Sequence, residues 1–357
     1  MKIGIVGMPN AGKSTLFNAL TTGGAQVGDY PFTTVEPNVA IAPVADQRLL
    51  KIAETLGSDP IVPETVEFND IAGLVRGAAE GEGLGNKFLA AIRETDAICH
   101  VVRAHATAGV PHPDGKVDPV ADAEAIDAEL LLADLEQAER RLAKVTKEAK
   151  SQDKEAIAER DWLEAVNEAL AAGRPVRSVP VPPAAADAPR KLAALTSKPV
   201  LYVANVEEGD AEVPAALAAH AEQAGAASVA VSARIEADLT ELDESEAAEM
   251  RGELGLHESG LERLVHAAYA LLDLITFFTA DRAVDATARS LPRGGTAYDA
   301  AGKVHREIQE GFVRAEVIPW QDLVDAGGWV TASERGVIRT EGRDYVVADG
   351  DIINIKH

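Results

Sequence analysis

Residues 7–14 read GMPNAGKS; they follow directly on the apolar run KIGIV at 2–6 and lead into TLFNAL at 15–20. A strand candidate, a loop of the form G-x-x-x-x-G-K-[ST] and a helix candidate stand in the order that a phosphate-binding loop requires. Gly7 and Gly12 let the main chain wrap closely with its amides pointing inward. Lys13 neutralises outer phosphates and Ser14 offers a hydroxyl to magnesium. The ligand class is therefore a nucleotide phosphate.

Phosphate loops serve kinases, motors and switches alike, and DIAGLV at 70–75 narrows the choice. Asp70 closes the strand candidate TVEF, where its carboxylate can hold a magnesium shell, and Gly73 supplies an amide to the terminal phosphate, as D-x-x-G does in switch proteins. Between the two motifs lies YPFTTVEPN at 30–38, in which Thr33 or Thr34 is a candidate to cap the metal; a plain turn after Pro31 is the alternative. Leu74 follows Gly73 where many GTPases carry a water-orienting glutamine. An apolar side chain can neither donate nor accept a hydrogen bond, so hydrolysis is slow or takes its polar help from elsewhere. Asn10, as a ligand for a monovalent cation such as potassium, and His112, in the loop AGVPHPDGKVDP, are the candidates; a solvated loop histidine is the plainer reading of His112.

The base-reading position falls in PVLYVANVEEG at 199–209. Guanine-specific switches present N-K-x-D, whose aspartate accepts from two adjacent donors. Here Asn205 is kept, Val206 stands for the lysine and Glu208 for the aspartate. Adenine offers a donor beside an acceptor, which suits an amide or main-chain pair better than a carboxylate accepting twice. The substitutions weaken guanine preference, although Glu208 remains an acceptor. VSA at 231–233 fits the following base-contacting turn.

A chain of 357 residues, 46% hydrophobic and 26% charged, can bury one large core or two or three smaller ones, the latter expected here. No apolar run reaches the length of a signal peptide or a membrane span, so a cytoplasmic protein without a membrane partner is expected. The single cysteine, Cys99 in AICHVV, excludes a disulfide framework and reads as a packed thiol. A net charge of -24 argues against non-specific coating of nucleic acid. One stretch disagrees locally: RRLAKVTKEAKSQDK at 140–154 carries Arg140, Arg141, Lys144, Lys147, Lys150 and Lys154 against Glu148 and Asp153, either a solvated helix face or a contact surface for RNA.

Strands alternating with helices over 1–121 predict a mostly parallel sheet covered on both faces. From 122 the texture changes. Leu131, Leu135, Ala138, Leu142, Val145 and Ala149 form a heptad seam, and EAIAERDWLEAVNEALAAG offers Leu163, Val166 and Leu170 as partners, with Gly173 as a helix stop. This antiparallel hairpin, followed by the irregular connector RSVPVPPAAADAP, interrupts an α/β domain that resumes at 196–273. Helices are expected near 212–224 and 258–273. A small α+β domain occupies 274–357, with strand candidates AVDATAR, FVRAEVI, DYVVAD and DIINIK around a helix near 296–309.

The stretches GMPNAGKST, YPFTTVEPN, EFNDIAGLVRGAAEGEGLGNKFLAAIRETDAICHVVR, NVEE and EGFVRAEVI with EGRDYVVADGDIINI resemble, in order and over essentially the full length, the YchF or Obg-like ATPases among the translation-factor-related P-loop GTPases. The resemblance implies a G domain at 1–121 and 196–273, a helical arm with connector at 122–195 and a ubiquitin-like (β-grasp, TGS) domain at 274–357. It implies a monomeric, ribosome-associated, slow ATPase that prefers ATP to GTP, uses Mg2+ and takes potassium as a further candidate cofactor. Contact is implied with rRNA or ribosomal protein, on the large subunit. ATP is expected on Asn10, Ala11, Gly12, Lys13, Ser14, Thr15, Asn205, Val206, Glu208, Ser232 and Ala233, and the metal on Ser14, Thr34 and Asp70. His112 matches the family's catalytic loop histidine, beside Asn10 and Gly73. Thr33 and Ala104 stand where relatives often carry cysteines, so redox control through those thiols is not expected. An Obg-type GTPase and a non-hydrolysing adaptor are the competing functions.

Overall fold

A computed structural model describes residues 1–26, 38–71, 84–106, 110–113, 115–256, 258–281 and 284–357. The chain divides into two units, Met1–Ala42 with Glu67–Leu271 and Pro43–Val66 with Leu272–His357.

The first unit is built on a six-stranded sheet in the order Val39–Pro43, Thr65–Asp70, Lys2–Val6, Ala97–Arg103, Val200–Asn205, Ala227–Val231. From Thr65–Asp70 to the far edge at Ala227–Val231, every neighbouring pair is parallel. Ala97–Arg103 and Val200–Asn205 are buried at every position, because helices cover both faces; this is why they read as continuous apolar runs instead of alternating ones. Cys99 is fully buried, and burial pushes its thiol up to about 12, so it packs as an inert thiol.

Register brings the motifs together. Ile5 pairs with Asp70, Val6 with His100, Arg103 with Asn205 and Asn205 with Val231. The carboxyl ends of the strands therefore align, and the chain leaves the central Lys2–Val6 strand with neighbours on both sides, the crevice where open α/β sheets bind ligands.

The helical insertion starts at Pro119–Glu148, whose N-cap Asp118 accepts from the Ala121 amide with Pro119 at the first helical position. Lys154–Ala171 runs back along it. Trp162, Leu163, Val166 and Leu170 pack on Ala138 and Val145, with Leu131, Leu135 and Leu142 at the margin. Gly173, at φ 74°, ends the second helix in the left-handed region, and the Arg174 amide returns to the Ala169 carbonyl. Two expectations change here. The connector is not featureless: short turns at Val176–Ser178 and Pro183–Ala185 and the helix Ala188–Leu192 place Val176, Ala185, Ala188 and Leu192 in the same core. Proline presets the turn dihedrals, and Ala185 and Ala188 sit buried in the core. Nor does the arm form a unit of its own, since Asp134 binds it to the sheet side by accepting from the Leu195 and Thr196 amides and the Thr196 hydroxyl at 2.7–2.8 Å.

The second unit differs most from the expected boundaries. Residues 43–66, read as part of the first domain, belong to it: Leu49, Ile52, Ala53 and Leu56 on the helix Gln47–Leu56 pack on Phe278, Ala288, Ile318 and Ile352. Its sheet runs Arg339–Glu341, Arg314–Pro319, Asp351–Lys356, Leu274–Ala280, Ala286–Pro292, Ile61–Val62. The first and last long strands, Leu274–Ala280 and Asp351–Lys356, pair in parallel at its centre. The helix expected near 296–309 is Ala297–Val304 followed by Arg306–Glu310. DYVVAD is not a strand; only Val346 makes an isolated bridge, to Thr296. Leu274–Ala280 was hidden in the sequence because its apolar run continues that of the helix Gly260–Leu271 without a turn signal.

Candidate nucleotide-binding site

The phosphate loop is closed by residues remote in sequence. Lys13 Nζ donates to the carbonyls of Gly7 at 2.9 Å and Met8 at 2.8 Å, folding the loop round its own cation. Burial lowers the Lys13 pKa, and the Asp70 charge opposes that shift. At Gly7 (φ 156°) a Cβ would stand 2.3 Å from the Val101 carbonyl oxygen, and at Gly12 (φ 98°) 2.2 Å from Asn205 Nδ2. Both glycines are thus required by close approach of the backbone to a neighbour as much as by the ligand.

Asn205 ends its strand beside this loop and ties three segments together. Its Nδ2 donates to the Ala11 carbonyl at 3.0 Å and its Oδ1 accepts from the Ala233 amide at 3.1 Å. The amide is buried and engaged at both ends, so it positions the two walls of the crevice. Glu208 Oε1 pairs with Arg234 Nε at 3.0 Å.

These segments enclose a cavity of ≈ 440 Å³, within the range of small-molecule sites. Asn10, Gly12, Lys13, Ser14, Thr15, Asn205, Val206, Glu208, Ser232 and Ala233 line it, as does a group that sequence reasoning missed: His105, Val110, Glu207 and Arg234. Ala11 contributes through its carbonyl instead of the lining. His105 carried no signal in the sequence; the register of the folded sheet brings it in, because Arg103 pairs with Asn205 and His105 follows two positions on. Buried Arg103 fixes that continuation, donating to the carbonyls of His105 at 3.1 Å and Val110 at 3.2 Å.

Asn10 sits in the left-handed region (φ 62°), and its Nδ2 donates to the Pro111 carbonyl at 3.1 Å. The 110–113 segment is thereby held against the phosphate loop. His112 itself is turned to the helix Pro119–Glu148, with Nε2 2.9 Å from Asp122 Oδ2, and it does not line the cavity. Thr33, Thr34, Gly73 and Leu74 lie outside the described residues.

For a magnesium ion the site offers Ser14 on the cavity wall and Asp70 at the end of the adjacent strand, electrostatically coupled to Lys13. An oxygen-only donor set of one hydroxyl and one carboxylate fits this hard ion, which keeps several waters and completes its shell with substrate phosphate. Among the described residues no cluster of three or more His, Cys, Asp or Glu forms a self-sufficient metal cage. Among them, too, no helix is long and apolar enough to cross a membrane.

Comparison with known proteins gives the family of the chain. Residues 2–155 match a family model described as a 50S ribosome-binding GTPase, and residues 274–357 match the YchF GTPase C-terminal model, described as a protein of unknown function. The chain is 45% identical to the ribosome-binding ATPase YchF of Bacillus subtilis, with 99% of this chain and 98% of the relative covered. It is 46% identical to the Escherichia coli O157:H7 protein of the same name, over the same shares. The solved structure of the Schizosaccharomyces pombe YchF GTPase superposes with a TM-score of 0.88 at 32% identity, covering 100% of this chain and 97% of that one. With a phosphate loop, a substituted base-reading loop and relatives matched from end to end, the chain belongs to the YchF family of P-loop nucleotide-binding proteins.

Proposed function

We propose that this protein is a slow, magnesium-dependent ATPase that prefers ATP to GTP and acts as a nucleotide-dependent switch on the ribosome in the cytoplasm. The observation that carries the preference is the engagement of Glu208 by Arg234 at 3.0 Å beside the apolar, buried Val206. A guanine would find no lysine over the ring, and its acceptor would be an exposed carboxylate with one oxygen already on a guanidinium. An adenine needs no carboxylate.

Lys13 would neutralise the β- and γ-phosphates and the loop amides would cradle them; Ser14 and Asp70 would hold a magnesium ion, whose charge would screen that of the phosphates. The Asn205 bridge sets the distance between the phosphate and base ends of the crevice. Hydrolysis takes ATP and water to ADP and phosphate. For His112 to serve that step its ring must leave Asp122, which makes hydrolysis slow until the 110–113 segment rearranges. Asn10, tied to that segment, is proposed as the residue that couples it to the phosphate loop and to potassium.

The ribosomal reading follows the names of the relatives, and residues 274–357 are proposed as a TGS domain from the resemblance of their sequence. Paired calorimetric titrations with ATP and GTP test the preference: tighter binding of ATP is expected, and GTP binding at least tenfold tighter would sink it in favour of an Obg-type GTPase. Single-turnover hydrolysis tests the rest. His112→Ala is expected to lower the rate at least tenfold with ATP affinity within about twofold. A rate insensitive to both His112→Ala and Lys13→Ala leaves only the non-hydrolysing adaptor.

A further inference from the structure

His105 stands on the cavity wall with Nε2 3.3 Å from Asn205 Nδ2. The orientation of the Asn205 amide is not free, because the Ala233 amide fixes the oxygen side and the Ala11 carbonyl fixes the nitrogen side. An NH2 group already donating to Ala11 presents its second hydrogen to His105, so His105 Nε2 must be the acceptor. We propose that His105, held neutral with its proton on Nδ1, is a positioning residue for nucleotide binding, and that its protonation at Nε2 opens the Asn205 bridge.

Two donors then face each other across 3.3 Å, and either the imidazolium swings out or Asn205 lets go of one loop. The charges around the ring come from each wall of the crevice. Burial and the Arg103 guanidinium lower its pKa, and Glu207 from the base loop opposes them. Across the cavity stand Lys13 of the phosphate loop and Arg234, the latter paired with Glu208. Most of this setting favours the neutral ring at pH 7 and places the transition on the acid side of the ordinary histidine range.

The inference rests on the nucleotide reading of the crevice but not on the choice of base. It is tested on the full chain by nucleotide titration between pH 8 and pH 5.5, using ATP and GTP in parallel, in the wild type, His105→Gln and His105→Phe. Wild-type affinity is expected to fall about three- to tenfold beyond the change seen in His105→Gln, whose amide oxygen accepts from Asn205 at every pH. His105→Phe, without an acceptor, is expected to bind more weakly at pH 8 and to lack the extra acid loss. Long-range proton–nitrogen spectra of the imidazole should show the Nδ1–H tautomer at pH 8. An Nε2–H tautomer, or the same pH dependence in His105→Gln as in the wild type, overturns the proposal. If GTP binds better than ATP yet the His105-dependent acid loss persists, the ATP reading fails and this inference stands.

Discussion

The side-chain amide of Asn205 donates to the main-chain carbonyl of Ala11 at 3.0 Å, joining the base-reading loop to the phosphate loop across 194 positions of sequence. Each half of the crevice is thus held in place by the other, and the nucleotide meets walls that are already spaced.

Asn205→Ala leaves a buried carbonyl at Ala11 and a buried amide at Ala233 without partners. At about 1–3 kcal/mol for each such group, nucleotide affinity is expected to fall at least tenfold and thermal stability with it. Calorimetry and a melting curve without ligand separate the two effects; unchanged affinity in a folded variant would remove Asn205 from the site's architecture.

Behind the sheet, Asp127 accepts from the Tyr202 hydroxyl at 2.6 Å and lies 3.1 Å from His220 Nε2 and 3.9 Å from His100 Nδ1. Burial lowers the His100 pKa to about 4, with Asp127 opposing, while the Asp127 hydrogen bond raises that of His220. The signs differ. Between pH 6.5 and 4 the unfolded chain protonates His100 and the folded chain does not, so stability falls as pH falls, by roughly 3 kcal/mol. His220 contributes in the opposite sense, with stabilisation present below its unfolded pKa and lost as pH rises through the folded one. His100→Phe, which keeps a ring against Tyr202, is expected to flatten the acid loss in urea melts at pH 7 and pH 4.5.

Within the arm, Arg141 pairs with the buried carboxylate of Glu159 at 2.6 Å, and Lys191 reaches the same carboxylate at 3.5 Å. Arg141 is therefore an internal partner and not part of the basic face read from the sequence. Breaking a buried pair costs about 3–5 kcal/mol, and Arg141→Ala should cost somewhat less, about 2–3 kcal/mol, because Lys191 still reaches Glu159; the double change Arg141→Met with Glu159→Leu should recover most of it. A single-variant loss below half a kilocalorie, by denaturant titration, would contradict the buried-pair account.

On the outer face of the same helix, Arg140 and Lys144 are exposed, with Glu136 and Glu148 respectively at 4.0 Å. Exposed pairs of this kind are nearly neutral energetically. Reversing Arg140, Lys144 and Lys147 to glutamate should leave folding intact and reduce co-sedimentation with ribosomes, more steeply at low salt. Undiminished co-sedimentation at low salt removes the arm from the ribosomal contact.

The ligand class was legible because phosphate chemistry is local: Gly7, Gly12, Lys13 and Ser14 must stand at fixed spacing on one strand–loop–helix turn. Asp70 and Asn205 were legible for a similar reason, since each ends an apolar run that reads as a strand. The helical seam from Leu131 to Ala149 was legible by periodicity. Tertiary structure alone decided that residues 43–66 pack with 272–357, that His112 faces Asp122, that Arg141 faces inward, and that His105 reaches Asn205. Periodicity tells which face of an element is apolar, but not which distant element covers it. Parallel neighbours such as Ala97–Arg103 and Val200–Asn205 are joined by long crossovers, so the register that sets His105 beside Asn205 exists only once the sheet has formed.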